Sequence, residues 1–450
     1  MTRLARLPLA LLCLLAALGA CDRQTPGQRM DHIVRARAEA GRFSGAVLVA
    51  RDGQVLLDQG YGMASREWDI ANTPATRFRL ASLSKQFTAA AILQLAERGK
   101  LALDAPLKTY FPEAPPTWDR VTVLQLLDHT SGIPDYLTAP DYAATQALPA
   151  TPRQLLARFR DRPLDFAPGS QWAYSNSGYV LLGLLLEQLG GMSYGEVLQQ
   201  NLLAPLGMRG SGYDDGRKLV PHLASGYRLD QGAIVPALVR HPSTLYAAGG
   251  LYSTTGDLLR WQQGLYGGKV LAAASLRRMT TPGLQQAGLG LLILPLEDHL
   301  VYVHGGGVDG VHTLMSYDPT LKTTVIVLAN LQDADVATLA GELAALARGE
   351  RVILRDERRE RTLPAERLRR FAGRYQLAPG FDLVFTVENG QLIGQATGQQ
   401  KYPASAEAPD MFFFKVNDAE VEFFGEGAAA DSLVLHQNGQ YFKARRQPGS

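Results

Sequence analysis

The placement of strand-like sequence limits this chain most: it lies at both ends of a long segment whose middle reads as helix. Ser44 to Gly62 reads as two strands meeting at Asp52-Gly53, with Val47 and Val49 before the turn and Val55 and Leu57 after it. His299–His304, Val311–Tyr317 and Thr323–Ala329 are three further β-rich runs with short connections. Between them, Ser82–Gly99 reads as a helix stopped by glycine, and Leu101–Leu245 as helical runs broken by proline-bearing loops, among them Val123–Leu127, Arg153–Phe159 and Val180–Leu189. An Ala/Leu-rich helix follows from Ala334 to Ala347. One sheet must then be assembled from both ends of the segment, which predicts an α+β fold. Its antiparallel sheet is flanked by helices and carries a helical insertion.

After residue 347 the pattern changes twice. Residues 348–370 are dense in Arg and Glu with signs interspersed, which reads as a solvated charged linker rather than a nucleic-acid patch. Residues 371–446 alternate with a period of two, with turn signals such as Asn389-Gly390, and predict a small all-β, barrel-like domain. Phe412, Phe413 and Phe414 in succession exceed what one buried face accommodates, so at least one ring is expected to point outward, on an edge strand covered by neighbouring structure. Residues 30–347 are the expected main domain. With 46% hydrophobic and 20% charged residues the chain can bury a sizeable core.

Residues 1–21 read as a leader. Arg3 and Arg6 precede the apolar run Leu7–Leu18, which is shorter than the roughly 20 residues a spanning helix needs. Leu18-Gly19-Ala20-Cys21 resembles the bacterial lipoprotein processing box, making Cys21 the expected lipidation site; an ordinary signal peptide with an incidental cysteine is the alternative. Asp22 resembles the signal that retains some lipoproteins at the inner membrane, so the expected location is the periplasmic face of that membrane. Without Arg3 and Arg6 the charges balance, which argues against nucleic acid as a partner. Cys13 and Cys21 are the only cysteines, which excludes a disulfide framework and a cysteine metal cluster downstream.

Three local patterns carry chemistry. Ser82-Leu83-Ser84-Lys85 is the only Ser-x-x-Lys, and at a helix start it puts the amine one turn from the hydroxyl. A serine needs a base, and a lysine near its ordinary pKa of about 10.4 is a poor one, so Lys85 requires burial or nearby positive charge. By itself the pattern equally describes an N-cap and a surface lysine. Tyr174-Ser175-Asn176 follows the Pro168-Gly169 turn, which places Tyr174 in a constrained loop and Asn176 at a helix start; a phenol beside an ammonium can relay a proton. His304-Gly305-Gly306-Gly307 ends a strand with residues that let a substrate backbone approach its edge.

In this order the three resemble the serine β-lactamase-like, penicillin-recognising hydrolase family, in its branch of class C β-lactamases, D-alanyl-D-alanine carboxypeptidases and esterases. Leu126–Ile133 and Ala247–Asp257 look like two further loops of that family, and the resemblance spans Phe43 to Leu331. It implies Ser82 as acylated nucleophile, Lys85 as base partner and Tyr174 as relay. It further implies Asn176 bound to the substrate's acyl amide or to Lys85, substrate contacts at His304 and Gly306, and an oxyanion hole from the backbone amides of Ser82 and Gly307. The implied reaction is acyl transfer on a small-molecule or peptide substrate, peptidoglycan fragments included, without cofactor or metal. The expected substrates are D-amino-acid peptides, small esters and amides; a true β-lactamase and a non-catalytic peptidoglycan-binding sensor or scaffold are the alternatives. Many relatives have lysine where His304 stands, and a neutral histidine attracts a carboxylate less. His129 and His312 read as structural first.

Overall fold

The computed structural model of the protein describes residues 24–296, 298–354, 357–416, 419–437 and 440–448, so the leader and Cys21 lie outside the described residues. Helix α1 (Pro26–Glu39) opens with a capping box in which Thr25 and Gln28 satisfy each other's backbone N–H groups. It is followed by the hairpin β1 (Gly45–Arg51) and β2 (Gln54–Tyr61). Late in the domain come β3 (Leu292–Leu296), β4 (His299–Val308), β5 (Val311–Asp318) and β6 (Thr323–Ala329). They form one antiparallel sheet in the order β3-β4-β5-β6-β1-β2. The ends of the domain meet where β1 pairs β6, from Gly45 opposite Ala329 to Arg51 opposite Thr323.

The alternation of side chains along β1 assigns its two faces. Ala46, Leu48 and Ala50 belong to the core that contains helix α2 (Ser84–Glu97). Val47 and Val49 belong to a second core with Met30, Ile33 and Val34 of α1 and Leu339 and Leu343 of α4 (Val336–Arg348). Helix α3 (Asn176–Gly190) packs against α2 from the helical insertion. Every residue of α2 from Ser84 to Leu95 is buried, as expected for a helix enclosed on all sides. Two sequence readings shift: β4 continues beyond His304 to Val308, and β3, a short strand with Pro295, had no readable signal.

The C-terminal region is a closed antiparallel barrel of eight strands, β7 (Gly373–Ala378), β8 (Phe381–Glu388), β9 (Gln391–Ala396), β10 (Tyr402–Ala408), β11 (Met411–Phe414), β12 (Glu420–Phe424), β13 (Ser432–Gln437) and β14 (Gln440–Arg446). Tyr375 opposite Arg446 closes it. Phe412 lies in its core, whereas Phe413 belongs to no core cluster and is only 4% exposed because the Arg358 guanidinium sits 5.1 Å from its ring centroid. The expected edge strand is thus absent: closure pairs β11 on both sides, and the linker covers the outlying ring.

The linker differs from its expectation as well. Arg358 is 7% exposed and pairs with Glu407 and Glu420 of the barrel, while Glu357 pairs with Arg29 of α1. Leu368, in the short helix Ala365–Arg369, enters the barrel core beside Phe371. The mixed charges that suggested solvation supply partners on both neighbours instead. Among the described residues no helix is long and apolar enough to cross a membrane.

Candidate active site

Ser82 lies in a 3-10 turn, Ala81–Leu83, that runs directly into α2. Ala81 has φ of 49°, a left-handed conformation that costs a non-glycine residue roughly 1–2 kcal/mol. Tertiary contacts hold it there. Leu80 N–H donates to Leu251 O at 2.8 Å, and the Thr313 hydroxyl, from β5, donates to Leu80 O at 2.9 Å.

One turn along α2, Lys85 is fully buried, and its Nζ donates to Ser82 Oγ at 3.2 Å, Asn176 Oδ1 at 2.8 Å and Ala248 O at 2.7 Å. Burial disfavours its ammonium form and brings its pKa down to about 7, with Asp135 acting in the opposite direction. The loop at Ala247–Asp257 earns its place here: Ala248 supplies a lysine acceptor, and Ala247 O accepts from Thr88 of α2 at 2.8 Å.

Asn176, at the start of α3, is held at both ends of its amide. Oδ1 accepts from Lys85, and Nδ2 donates to Asp135 Oδ2 at 2.8 Å, so of the two roles left open by the sequence the structure displays the lysine contact. Asp135 also accepts the Asn176 backbone N–H at 3.0 Å and the Leu137 N–H at 2.9 Å. Sequence reasoning missed Asp135; its only signal was its place two residues after the Leu126–Ile133 loop.

Tyr174 follows the Pro168-Gly169 turn in a loop cradled by that same segment. Gly169 N–H donates to Thr130 O at 2.8 Å, Ala173 N–H to His129 O at 3.1 Å and Ser175 N–H to His129 Nδ1 at 3.1 Å. The His129 ring stacks on Tyr174 at 4.4 Å between centroids, and Lys85 Nζ lies 4.8 Å from the Tyr174 centroid. His129 is therefore structural, as expected, and its structural task is to seat the tyrosine. Tyr174 is 39% exposed, yet crowding at its hydroxyl raises its pKa above the ordinary phenol value, with Ser82 bonding in the opposite sense. Burial and the Lys85 charge hold His129 neutral, with a pKa well below the usual value.

The third segment comes from β4. Strand β3 pairs only with His299–Val303, so His304–Val308 have β5 on one side and no strand on the other among the described residues. A Cβ built on Gly306 would come within 2.3 Å of Leu80 O and 3.1 Å of Ser82 N, so the absent side chain lets the strand press against the turn that carries Ser82. Gly307, the next residue, would meet nothing within 4 Å and faces open space. His304 is buried; its Nδ1 lies 2.5 Å from Gly305 O, which requires the proton on Nδ1. Burial and Lys85 bring its pKa down to about 4. His312 bonds Ala334 O at 2.7 Å, away from this cluster. Among the described residues no group of three His, Cys, Asp or Glu side chains could hold a metal ion.

A hydroxyl, a largely deprotonatable amine, a phenol and an open strand edge thus converge from segments far apart in sequence, an arrangement suited to covalent acyl transfer. Comparison with known proteins agrees with that geometry. Penicillin-binding protein 4* of Bacillus subtilis is 26% identical over 94% of this chain and 99% of its own length. The penicillin-binding protein homologue of Pyrococcus abyssi, an octamer, superposes with a TM-score of 0.65 at 27% identity over 93% of this chain and 99% of its own. A D-stereospecific amidohydrolase from a Streptomyces species superposes with a TM-score of 0.60 at 27% identity over 71% of this chain and 98% of its own. The family model described as Beta-lactamase matches residues 30–349, well over half of the chain, and the protein therefore belongs to the beta-lactamase family of serine hydrolases.

Proposed function

We propose that this protein hydrolyses amide or ester bonds through a covalent acyl-enzyme on Ser82, acting on D-amino-acid amides, peptides or small esters whose leaving side carries no free carboxylate. The observation that carries the reading is the 3.2 Å contact between Ser82 Oγ and a buried Lys85 whose amine titrates near pH 7.

In the first step the Ser82 proton passes to neutral Lys85, directly or through the Tyr174 hydroxyl, as Oγ bonds to the substrate carbonyl carbon. The oxyanion is received by the backbone amides of Ser82 and Gly307. The tetrahedral adduct then collapses, its C–N or C–O bond breaks, and the amine or alcohol leaves with the proton held by Lys85 or Tyr174. Water repeats the sequence, releases the acid and restores Ser82. Lys85 is the stronger candidate for resting base, because the environment of Tyr174 disfavours its phenolate. Asn176 keeps Lys85 aimed at Ser82, with its second Nδ2 hydrogen left for an acyl carbonyl.

His304 narrows the substrate class. With its proton committed to Gly305 O, its other ring nitrogen is a hydrogen-bond acceptor, which repels a carboxylate and suits an N–H or O–H donor. The similarity to a D-stereospecific amidohydrolase supports D-configured amides. Export and anchoring through Cys21 at the periplasmic face belong to the same proposal, on the leader pattern alone; incorporation of labelled palmitate, lost in Cys21→Ala, tests them.

Intact-mass analysis after mixing with a p-nitrophenyl ester tests the central claim. The expected result is an acyl adduct on the parent protein and none on Ser82→Ala, with turnover lowered on the order of 10³-fold or more. A folded parent that never acylates would overturn it. A D-Ala-D-Ala substrate, its methyl amide and nitrocefin, run side by side, report the class: the capped amide is expected to exceed the free carboxylate, and dominant nitrocefin turnover would make the protein a β-lactamase.

A further inference from the structure

Tyr174, the proton relay of the proposed mechanism, and Asn176, which aims Lys85, come from the helical insertion, whereas the open strand edge belongs to β4 of the sheet. Ser82 catalysis as proposed above needs the two at a fixed spacing, because a misplacement of about 1 Å costs roughly 10²-fold in rate. Ser82 and Lys85 contact both sides, but neither ties the far end of β4 to the insertion.

One ion pair does. Asp309 occupies the turn between β4 and β5, two residues beyond Gly307. Its Oδ2 accepts from Arg240 Nε at 2.9 Å, and both side chains are largely buried, at 16% and 17% exposure. Arg240 lies on the strap 236–245, and its Cζ is 5.2 Å from the Tyr142 ring centroid in the helical insertion. Tyr142 packs edge-on against Tyr136 at 5.7 Å, and Tyr136 OH donates to Thr244 O of the same strap at 2.6 Å. Tyr136 directly follows Asp135, the residue that fixes both the backbone and the amide of Asn176.

The turn on the sheet side is equally confined. Gly310 N–H donates to Gln332 Oε1 at 3.0 Å, and a Cβ on Gly310 would come within 2.5 Å of Gly226 Cα and 2.6 Å of Ala237 Cβ. The strap therefore touches the turn at Ala237 and again at Arg240, leaving little room for the hairpin to shift without moving the strap.

We propose that the Arg240–Asp309 pair is a bolt across the catalytic cleft, a pair of positioning residues that sets the spacing between the strand edge at Gly307 and the Asp135–Asn176–Lys85 clamp. Neither residue touches the reacting atoms. The pair acts through Tyr142 and Tyr136 on one side and the β4–β5 turn on the other. An exposed ion pair would be worth little, but one this enclosed leaves an unpaired buried charge when either partner is removed, so the turn is driven to rearrange.

The proposal rests on the hydrolase reading, and two measurements on the full chain keep the failures apart. In a double-mutant cycle of Arg240→Ala and Asp309→Ala on a p-nitrophenyl ester, each single variant is expected to lose about 10–100-fold in kcat with KM within about threefold of the parent. The double variant is expected to lose little more than either single one, and Arg240→Lys to fall between parent and Arg240→Ala. Hydrogen exchange, which needs no turnover, is expected to quicken in both 304–312 and 135–142 in either single variant, together with the strap 236–245 that joins them and with segments remote from all three unchanged. Unchanged kcat in a folded Arg240→Ala protein, fully additive losses, or faster exchange on only one side of the cleft would each overturn the bolt. A parent that does not turn over sinks the hydrolase reading instead, and exchange alone then decides whether the two segments are joined.

Discussion

The two β-structures of this chain treat their strand edges in opposite ways. Among the described residues, the sheet of the main domain leaves His304–Val308 unpaired on one side, next to Ser82. The barrel pairs every strand with two neighbours, fills its interior with rings such as Phe371, Phe412 and Phe423, and has Leu368 in the same core. An open edge is an aggregation hazard when exposed and a recognition surface when a substrate can pair with it. Here it lies beside Ser82 and is braced by Thr313 and the glycine contact at residue 306. The difference indicates where each region's rigidity is spent: on chemistry in the sheet, on closure in the barrel.

Removing the amine gives the largest expected effect. Lys85→Met should lower kcat by about 10³-fold or more. In the parent, kcat/KM should fall about tenfold per pH unit below about 7, as Lys85 becomes protonated. Stability carries the same signature. Because the folded-state pKa lies below the unfolded value, the unfolded chain binds the extra proton between about pH 7 and 10.5. The buried lysine's penalty is therefore fully present below pH 7 and fades as pH rises toward 10.5. As pH rises across that range, urea unfolding should show the stability difference between Lys85→Met and parent moving toward the parent by up to about 5 kcal/mol, at about 1.4 kcal/mol per pKa unit. A barrel transition that shifts equally would erase the contrast between the regions.

A methyl group on a glycine sharpens the same contrast. Gly306→Ala sets a Cβ against the Leu80 carbonyl, backbone against backbone, and should cost roughly 100-fold in kcat/KM. Gly394→Ala meets the Phe414 and Phe385 rings inside the barrel and should cost about 1–3 kcal/mol of stability with kinetics unchanged. Equal kinetic losses in the two variants would show that the barrel shapes the site. The smallest kinetic effect is expected from Phe423→Ala, which opens a cavity among Phe371, Tyr375, Phe385 and Phe412. It should destabilise the barrel by about 3–5 kcal/mol in a separate early transition, while ester hydrolysis by the main domain persists.

The legible parts of the chain were those whose information is local. Ser82 and Lys85 are one helical turn apart, so their meeting follows from spacing alone; the apolar runs of β1 and β6 declared themselves because both of their faces are buried, and β5 because its burial alternates. Strand β10 carries little local signal: Tyr402–Ala408 is rich in alanine and contains Pro403, a composition that says strand only once its neighbours pair with it. The linker misled because alternating charge has the same composition whether solvated or matched to partners, and only the positions of Glu407, Glu420 and Arg29 distinguish the two.

What the sequence determined by itself, then, was the register of neighbouring residues on a helix or strand, the position of turns, and the resemblance carried by three short patterns. The tertiary structure alone decided that Lys85 is fully buried, with its pKa brought down, that Asp135 holds Asn176, that Gly306 serves a backbone contact, and that the β4 edge stays open among the described residues. The physical reason is range. Helical and strand periodicities are set by bonds a few residues long, whereas desolvation and close backbone approach depend on segments as distant as Leu80 and Gly306, whose meeting only the packed core can fix.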